Sequence, residues 1–176
     1  MPYRRTLPYV DPEDPQGPLH RAIGRVANTR AMVTLEGSLL YQLTTWRIVP
    51  VLMRLTGGRF ARLLPVPVGV IETRDVRNGR PHHRAVVYFH DGNRVIVTPS
   101  KAGLPDDPFW FQNAMAEPDV LFESRPYHAE VVEDQASRKR LWALADRVHG
   151  ASAIYRQRAA KSGRTIPVLQ LVPLEK

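Results

Sequence analysis

The sequence predicts an α+β fold: a small antiparallel β-barrel of about six strands, with N-terminal helices and accessory C-terminal helices. Three observations carry this reading. The hydrophobic spacing changes near Pro65 from helical to strand-like. Two tight-turn signals, Asn78-Gly79 and Asp91-Gly92, join three consecutive β-branched runs. Two helical stretches come late in the chain, between further short strands and a closing apolar run.

The elements follow in order. Residues 1–17 are proline-rich and polar, which suggests an extended arm. Leu19–Ala31 reads as a short basic helix. Gly37–Leu55 reads as a longer one, with Leu39, Leu43, Trp46 and Leu55 near one face. Pro50 should kink it, and Gly57-Gly58 should end it. "VPVGVIET" (66–73), "RAVVYFH" (84–90) and "NRVIVTPS" (93–100) read as three strands joined by the two turns. Asp106 or Asp107 can cap a short helix over Phe109–Met115. Strands are expected around Val120–Glu123 and Tyr127–Val132. A helix opened by Glu133 or Asp134 runs to about Val148, and another covers Ser152–Lys161. "RTIPVLQLVP" (164–173) closes as a strand. The division expected is 1–64 for the arm and helices and 65–176 for the barrel, folded as one globular unit.

Composition narrows the chemistry. The 176 residues are 43% hydrophobic, enough for a real core. There is no cysteine, hence no disulfide frame and no thiolate nucleophile, which fits a reducing cytosol. The longest apolar run, Ile48–Met53, contains a proline and falls far short of the ~20 residues that span a bilayer. No signal-peptide core precedes it, so the chain reads as cytoplasmic. Net charge is +8, unevenly distributed. Residues 1–64 hold 9 Lys/Arg against 4 Asp/Glu, residues 65–105 hold 6 against 3, and residues 106–176 hold 10 against 10. A positive field that ends just past Ser100-Lys101 favours an anionic partner.

Several site types are poorly served. His82-His83 are adjacent, so on a strand they face opposite ways, and no His-Glu-x-x-His or carboxylate cluster exists; no metal site is expected. Ser100 lacks a Gly-x-Ser-x-Gly elbow. "KSGR" (161–164) lacks the preceding glycines of a P-loop and reads as a helix end. Basic and aromatic residues do not interleave as on RNA-binding sheets, so no nucleic-acid partner is expected. An anionic cofactor suits the remainder. Arg77 lies at a hairpin tip, His82 and Arg84 share one face of the return strand, and Lys101 follows the next strand. Gly103 would let backbone amides approach a phosphate. Pro108–Phe111 can supply a flat apolar wall for a ring.

At these residues the chain resembles the deazaflavin-dependent nitroreductases, split β-barrel oxidoreductases that bind coenzyme F-420 and abound in actinobacteria. The resemblance runs from roughly Leu43 to Pro173. It is carried by "NGRPHHRAVVYFHDGNRVIVTPSKAG", "PFWFQNAMAEPDV" and "RTIPVLQLVP". It implies a split β-barrel of the FMN-binding-like kind. It places Ser100, Lys101, Ala102 and Gly103 where the family holds the cofactor phosphate and ring edge. Phe109 and Trp110 fall where side chains pack on the cofactor, and Asn113 matches an asparagine of the short helix. Arg77, His82 and Arg84 occupy the basic hairpin that meets the phosphate and glutamate tail. Tyr155 falls where tyrosines stand over the substrate pocket. Three departures stand out. Asp75-Val76-Arg77-Asn78-Gly79 replaces a Gly-Arg-x-Ser/Thr-Gly start, Ala102 replaces the first of two glycines, and Arg84-Ala85 replaces an Asn-Pro.

The resemblance implies an oxidoreductase in which reduced deazaflavin gives a hydride to a quinone, an enone or a nitroaromatic. Ser100 and Tyr155 are then the candidates for supplying the proton. FMN is the second-choice cofactor. The competing class is a non-catalytic binder of fatty acid or another apolar anion on the same fold. Peripheral membrane contact through the N-terminal helices, and a homodimer, are further expectations.

Overall fold

The computed structural model describes residues 9–13, 48, 51–52, 55–56, 64 and 66–174. Six strands form a closed antiparallel barrel: β1 (Val68–Arg74), β2 (Pro81–Asp91), β3 (Arg94–Val97), β4 (Asp119–Phe122), β5 (Arg125–Val131) and β6 (Leu169–Pro173). Their order around the barrel is β1-β2-β3-β6-β5-β4. Helix α1 (Phe109–Ala116) follows β3, while α2 (Gln135–Val148) and α3 (Ser152–Lys161) lie between β5 and β6. The expected fold class is therefore found. Of the two expected N-terminal helices, Leu19–Ala31 lies outside the described residues. The second is represented by Ile48, Val51, Leu52 and Leu55, which are helical.

Strand alternation sorts side chains to two faces. Ile71 and Phe122 point inward, are fully buried and contact Tyr88 and Leu171 in one cluster. Burying side chains of this size contributes roughly 1.5–3 kcal/mol each. Gly69 also faces inward, and its missing side chain leaves the room that the Phe122 ring occupies. Trp110 and Ala114 of α1 join this interior cluster. On the outer face, Phe89, Ile96 and Val168 pack beneath Leu141, Leu144 and Ala145 of α2. The arm also touches the barrel: His90 N–H donates to the Val10 carbonyl at 2.9 Å, and Val10 N–H donates to His90 Nδ1 at 3.0 Å.

Four boundaries depart from the sequence reading, each for a local reason. The return strand β2 begins at Pro81 rather than Arg84, because His82 and His83 already pair with Thr73 and Glu72 of β1. β3 stops at Val97, and the chain turns from Ser100 onward. Neither Asp106 nor Asp107 caps α1; its N-cap is Pro108, and Asp107 instead accepts from Arg164 Nε at 2.8 Å. β6 begins at Leu169 rather than Arg164, since Arg164 is drawn back to that same loop. Asp134 caps α2 as expected, accepting from Ser137 N–H at 2.7 Å.

Candidate cofactor site

A cleft of about 210 Å³ lies on the outer face of β1–β3, against the α2–α3 junction. Its floor is the outward row Ala85, Val87 and Phe89 of β2, with Val68 and Ile96 alongside. Ser100, Lys101 and Ala102 form one wall, and His149, Ser152 and Tyr155 another. Arg84 and Trp110 also line it.

The wall at residues 100–103 has an unusual backbone. Ser100 is right-handed helical, while Lys101, Ala102 and Gly103 have φ of 48°, 53° and 75°. Each non-glycine residue in that region costs roughly 1–2 kcal/mol, so the surroundings must hold the turn in place. Arg158 Nη1 donates to the Ala102 carbonyl at 3.0 Å, and Arg164 donates to the carbonyls of Ser100 at 3.1 Å and Leu104 at 2.8 Å. The amides of Lys101 and Ala102 make no backbone hydrogen bond among the described residues. A right-handed residue followed by a left-handed one makes successive N–H groups converge into a concavity that suits an anion.

Charge reinforces that geometry. The Lys101 side chain is mostly buried, and its acidic neighbour, the exposed Asp106, stands 3.8 Å away, a weak pair. Burial pushes the Arg84 guanidinium down to about 10, so it stays cationic at neutral pH. Burial also lowers His82, with Arg84 acting in the same direction. The His82 Nδ1 atom is buried with no hydrogen-bond partner among the described residues, a state that buried polar atoms seldom keep unless a ligand or water completes it. Burial pushes His149 down to about 4, so that imidazole is neutral at physiological pH. Its ring meets Tyr155 edge-on, with centroids 5.6 Å apart. Among the described residues no group of three or more His, Cys, Asp or Glu converges on a point that could hold a metal.

The sequence-derived residues fall into three groups. Arg84, Ser100, Lys101, Ala102, Trp110 and Tyr155 meet around the cleft. Arg77, His82 and Phe109 gather beyond it: Arg77 lies 4.1 Å above the Phe109 ring, and His82 stands 6.2 Å from it. Arg77 is also held by Asp75 at 3.0 Å. Strand β2 joins the groups: His82 and Arg84 are two residues apart on the face opposite the Ala85–Val87 floor, paired with Thr73 and Ile71. Asn113 and Gly103 stand behind the wall. Asn113 is fully buried and donates to Thr73 Oγ1 at 3.2 Å, tying α1 to β1. The space beside Gly103 is filled by Tyr155 and Arg158 of α3, and its N–H donates to the Ser100 carbonyl at 2.9 Å. Gly103 therefore makes room for a helix beside the turn. Arg158, Arg164, His149 and Ser152 were not foreseen. The one local signal was Ser162-Gly163 before Arg164, which marks a helix end and a chain reversal.

The six-stranded barrel thus carries a left-handed turn beside an apolar cleft. The chain belongs to the F-420H(2)-dependent quinone reductase family, whose model matches residues 45–173. A Mycobacterium tuberculosis protein named for the same activity is 33% identical over 113 residues, 62% of this chain and 92% of its own length. A second from that species, also named an F-420H(2)-dependent quinone reductase, is 26% identical over 132 residues, 71% of this chain and 87% of its own. Among solved structures, an F-420H2-dependent reductase (FDR-A) superposes with a TM-score of 0.52 at 22% identity, covering 60% of this chain and 93% of that one. A chain described as a domain-swapped dimer gives 0.53 at 21%, covering 73% and 98%. At these identities both likenesses establish the fold alone.

Proposed function

We propose that the protein binds reduced coenzyme F-420 along the cleft and reduces a quinone. The observation that carries this reading is the left-handed Lys101-Ala102 turn opening onto the apolar floor, in a chain of the quinone reductase family. The bound deazaflavin supplies the hydride; the protein supplies position and electrostatics. Lys101 and the two free amides hold the anionic part. Arg84 and His82 extend that hold along β2, with Arg77 and Phe109 at its far end. Val87, Phe89 and Trp110 exclude water from the ring. Reducing a quinone to a hydroquinone takes one hydride and one further proton, and Ser100 and Tyr155, which line the cleft, are our candidates for passing it.

Titration with oxidised F-420, followed by its fluorescence, should show saturable binding tighter than FMN; equal or tighter FMN binding sinks the reading. Lys101→Ala should weaken F-420 binding at least tenfold. A charge-assisted hydrogen bond contributes roughly 1.5–3 kcal/mol, and ~1.4 kcal/mol is tenfold. The melting temperature should hardly move, because the lysine stem covers little apolar surface. Wild-type affinity in that variant would remove Lys101 from the site.

We propose further that the N-terminal helix meets a membrane surface and that the protein forms a homodimer. Ile48, Val51 and Leu55 are exposed and spaced along one helical face, and quinones partition into lipid. No described helix is long and apolar enough to cross a membrane. Failure to sediment with anionic vesicles would end that proposal, and a monomer in analytical ultracentrifugation would end that of a homodimer.

A further inference from the structure

We propose that Arg164 is a positioning residue that aims the anion-binding amides at the cleft; the inference rests on the cofactor reading above. Helix α3 ends in a reversal at Gly163, whose φ is +76°. Gly163 N–H donates to the Ala160 carbonyl and Arg164 N–H to the Ala159 carbonyl, both at 3.0 Å. That pair of bonds is the glycine-terminated reversal seen at many helix ends, and here it throws the Arg164 side chain back under the turn.

The guanidinium is almost wholly buried and fully engaged. It donates to the carbonyls of Pro99, Ser100 and Leu104, and its charge is balanced by Asp107 at 2.8 Å. Peptide planarity gives those bonds a second consequence. All peptide bonds described are trans, and a trans peptide holds its N–H opposite its C=O. Drawing the Ser100 carbonyl inward to Arg164 therefore turns the Lys101 N–H outward. The next carbonyl, of Lys101, is occupied by Leu104 N–H at 3.1 Å, which turns the Ala102 N–H outward as well. The Ala102 carbonyl is then held by Arg158 at 3.0 Å. Arg164 and Leu104 N–H thus take the Ser100 and Lys101 acceptors from one side and leave two donors on the other, where Lys101 and Ala102 line the cleft, while Arg158 braces the strained turn through the next carbonyl. A lysine at 164 would keep the charge but could not fork to three carbonyls and a carboxylate.

The test is Arg164→Lys, with Arg158→Met as a second, milder variant. Arg164→Lys should raise the KM for F-420H2 and the Kd for oxidised F-420 at least tenfold, with the KM for quinone near wild type. Arg158→Met should raise the Kd a few-fold. A purely structural role would lower the melting temperature and the active fraction, scaling kcat while leaving both KM values in place; that result overturns the proposal. If Arg164→Lys does not fold, unchanged F-420 affinity in Arg158→Met overturns it. If the wild type binds no F-420, the cofactor reading fails separately. Inorganic phosphate then decides, read on the Lys101 and Ala102 amide signals by NMR. Shifts in wild type that are absent from the variants sustain the proposal; equal shifts, or none in wild type, overturn it.

Discussion

Gly103→Ala should destabilise the protein by about 2–5 kcal/mol. Two effects add. At a φ of +75° an L-residue carries roughly 1–2 kcal/mol of strain. A Cβ there would also press on the Tyr155 carbonyl and the Arg158 Cβ of α3, and forcing an extra methyl into packed space costs typically 1–3 kcal/mol. The obstacle on one side is backbone, so the helix as a whole must shift. Gly163 is the built-in control. Its φ is +76°, yet no described residue lies within 4 Å of where its Cβ would be, so Gly163→Ala should show the conformational part alone. Denaturant midpoints of both variants check this. A Gly103→Ala loss no larger than that of Gly163→Ala would mean that α3 does not press on the turn.

Acidification should weaken the fold through its buried imidazoles. His149 is held neutral, with its proton affinity pushed from 6.5 down to about 4 by burial. The unfolded chain takes up that proton as the pH falls through 6.5, whereas the folded chain refuses it until about 4. The stabilisation is therefore complete above 6.5 and declines steadily below it. At ~1.36 kcal/mol per pH unit for one group, His149 alone accounts for roughly 3 kcal/mol by pH 4. His82 and His90 are lowered by burial too and act in the same sense. The carboxylates that are lowered, such as Asp91 beside Arg140, lose their contribution only below their ordinary value of 3.8. His149→Gln should flatten the stability profile between pH 6.5 and 4. Parallel profiles for the two proteins would show that His149 is not the group responsible.

The sequence made the barrel legible because strand runs and turn signals are local. Asn78-Gly79 and Asp91-Gly92 each declared a hairpin within a few residues, and both glycines have the positive φ such turns require. Lys101 and its neighbours were legible as a group because they follow one another in the chain. What stayed hidden is long-range. Arg164 meets Ser100 across 64 positions, and Arg158 meets Ala102 across 56; no spacing rule connects them. The same contacts explain the shortened β6 and the uncapped α1, since Arg164 takes the segment that would extend the strand and Asp107 serves Arg164. His149 escaped because a lone histidine after a helix carries no pattern. Its significance comes from the cleft that forms around it.

The docking of the arm has a consequence for everything N-terminal to the barrel. His90 N–H holds the Val10 carbonyl, and Tyr88 N–H holds the Pro67 carbonyl at 3.2 Å. Those are neighbouring positions on one strand. Val10 and Pro67 are thus fastened to nearby positions of the same strand, and truncation before Val10 would leave its clip intact while truncation just after it would open it. The clip is also fragile in one respect. Val10 N–H needs the unprotonated Nδ1 of His90 as its acceptor, so a proton arriving on that atom removes one of the two bonds of the tether and leaves the His90 N–H bond to the Val10 carbonyl.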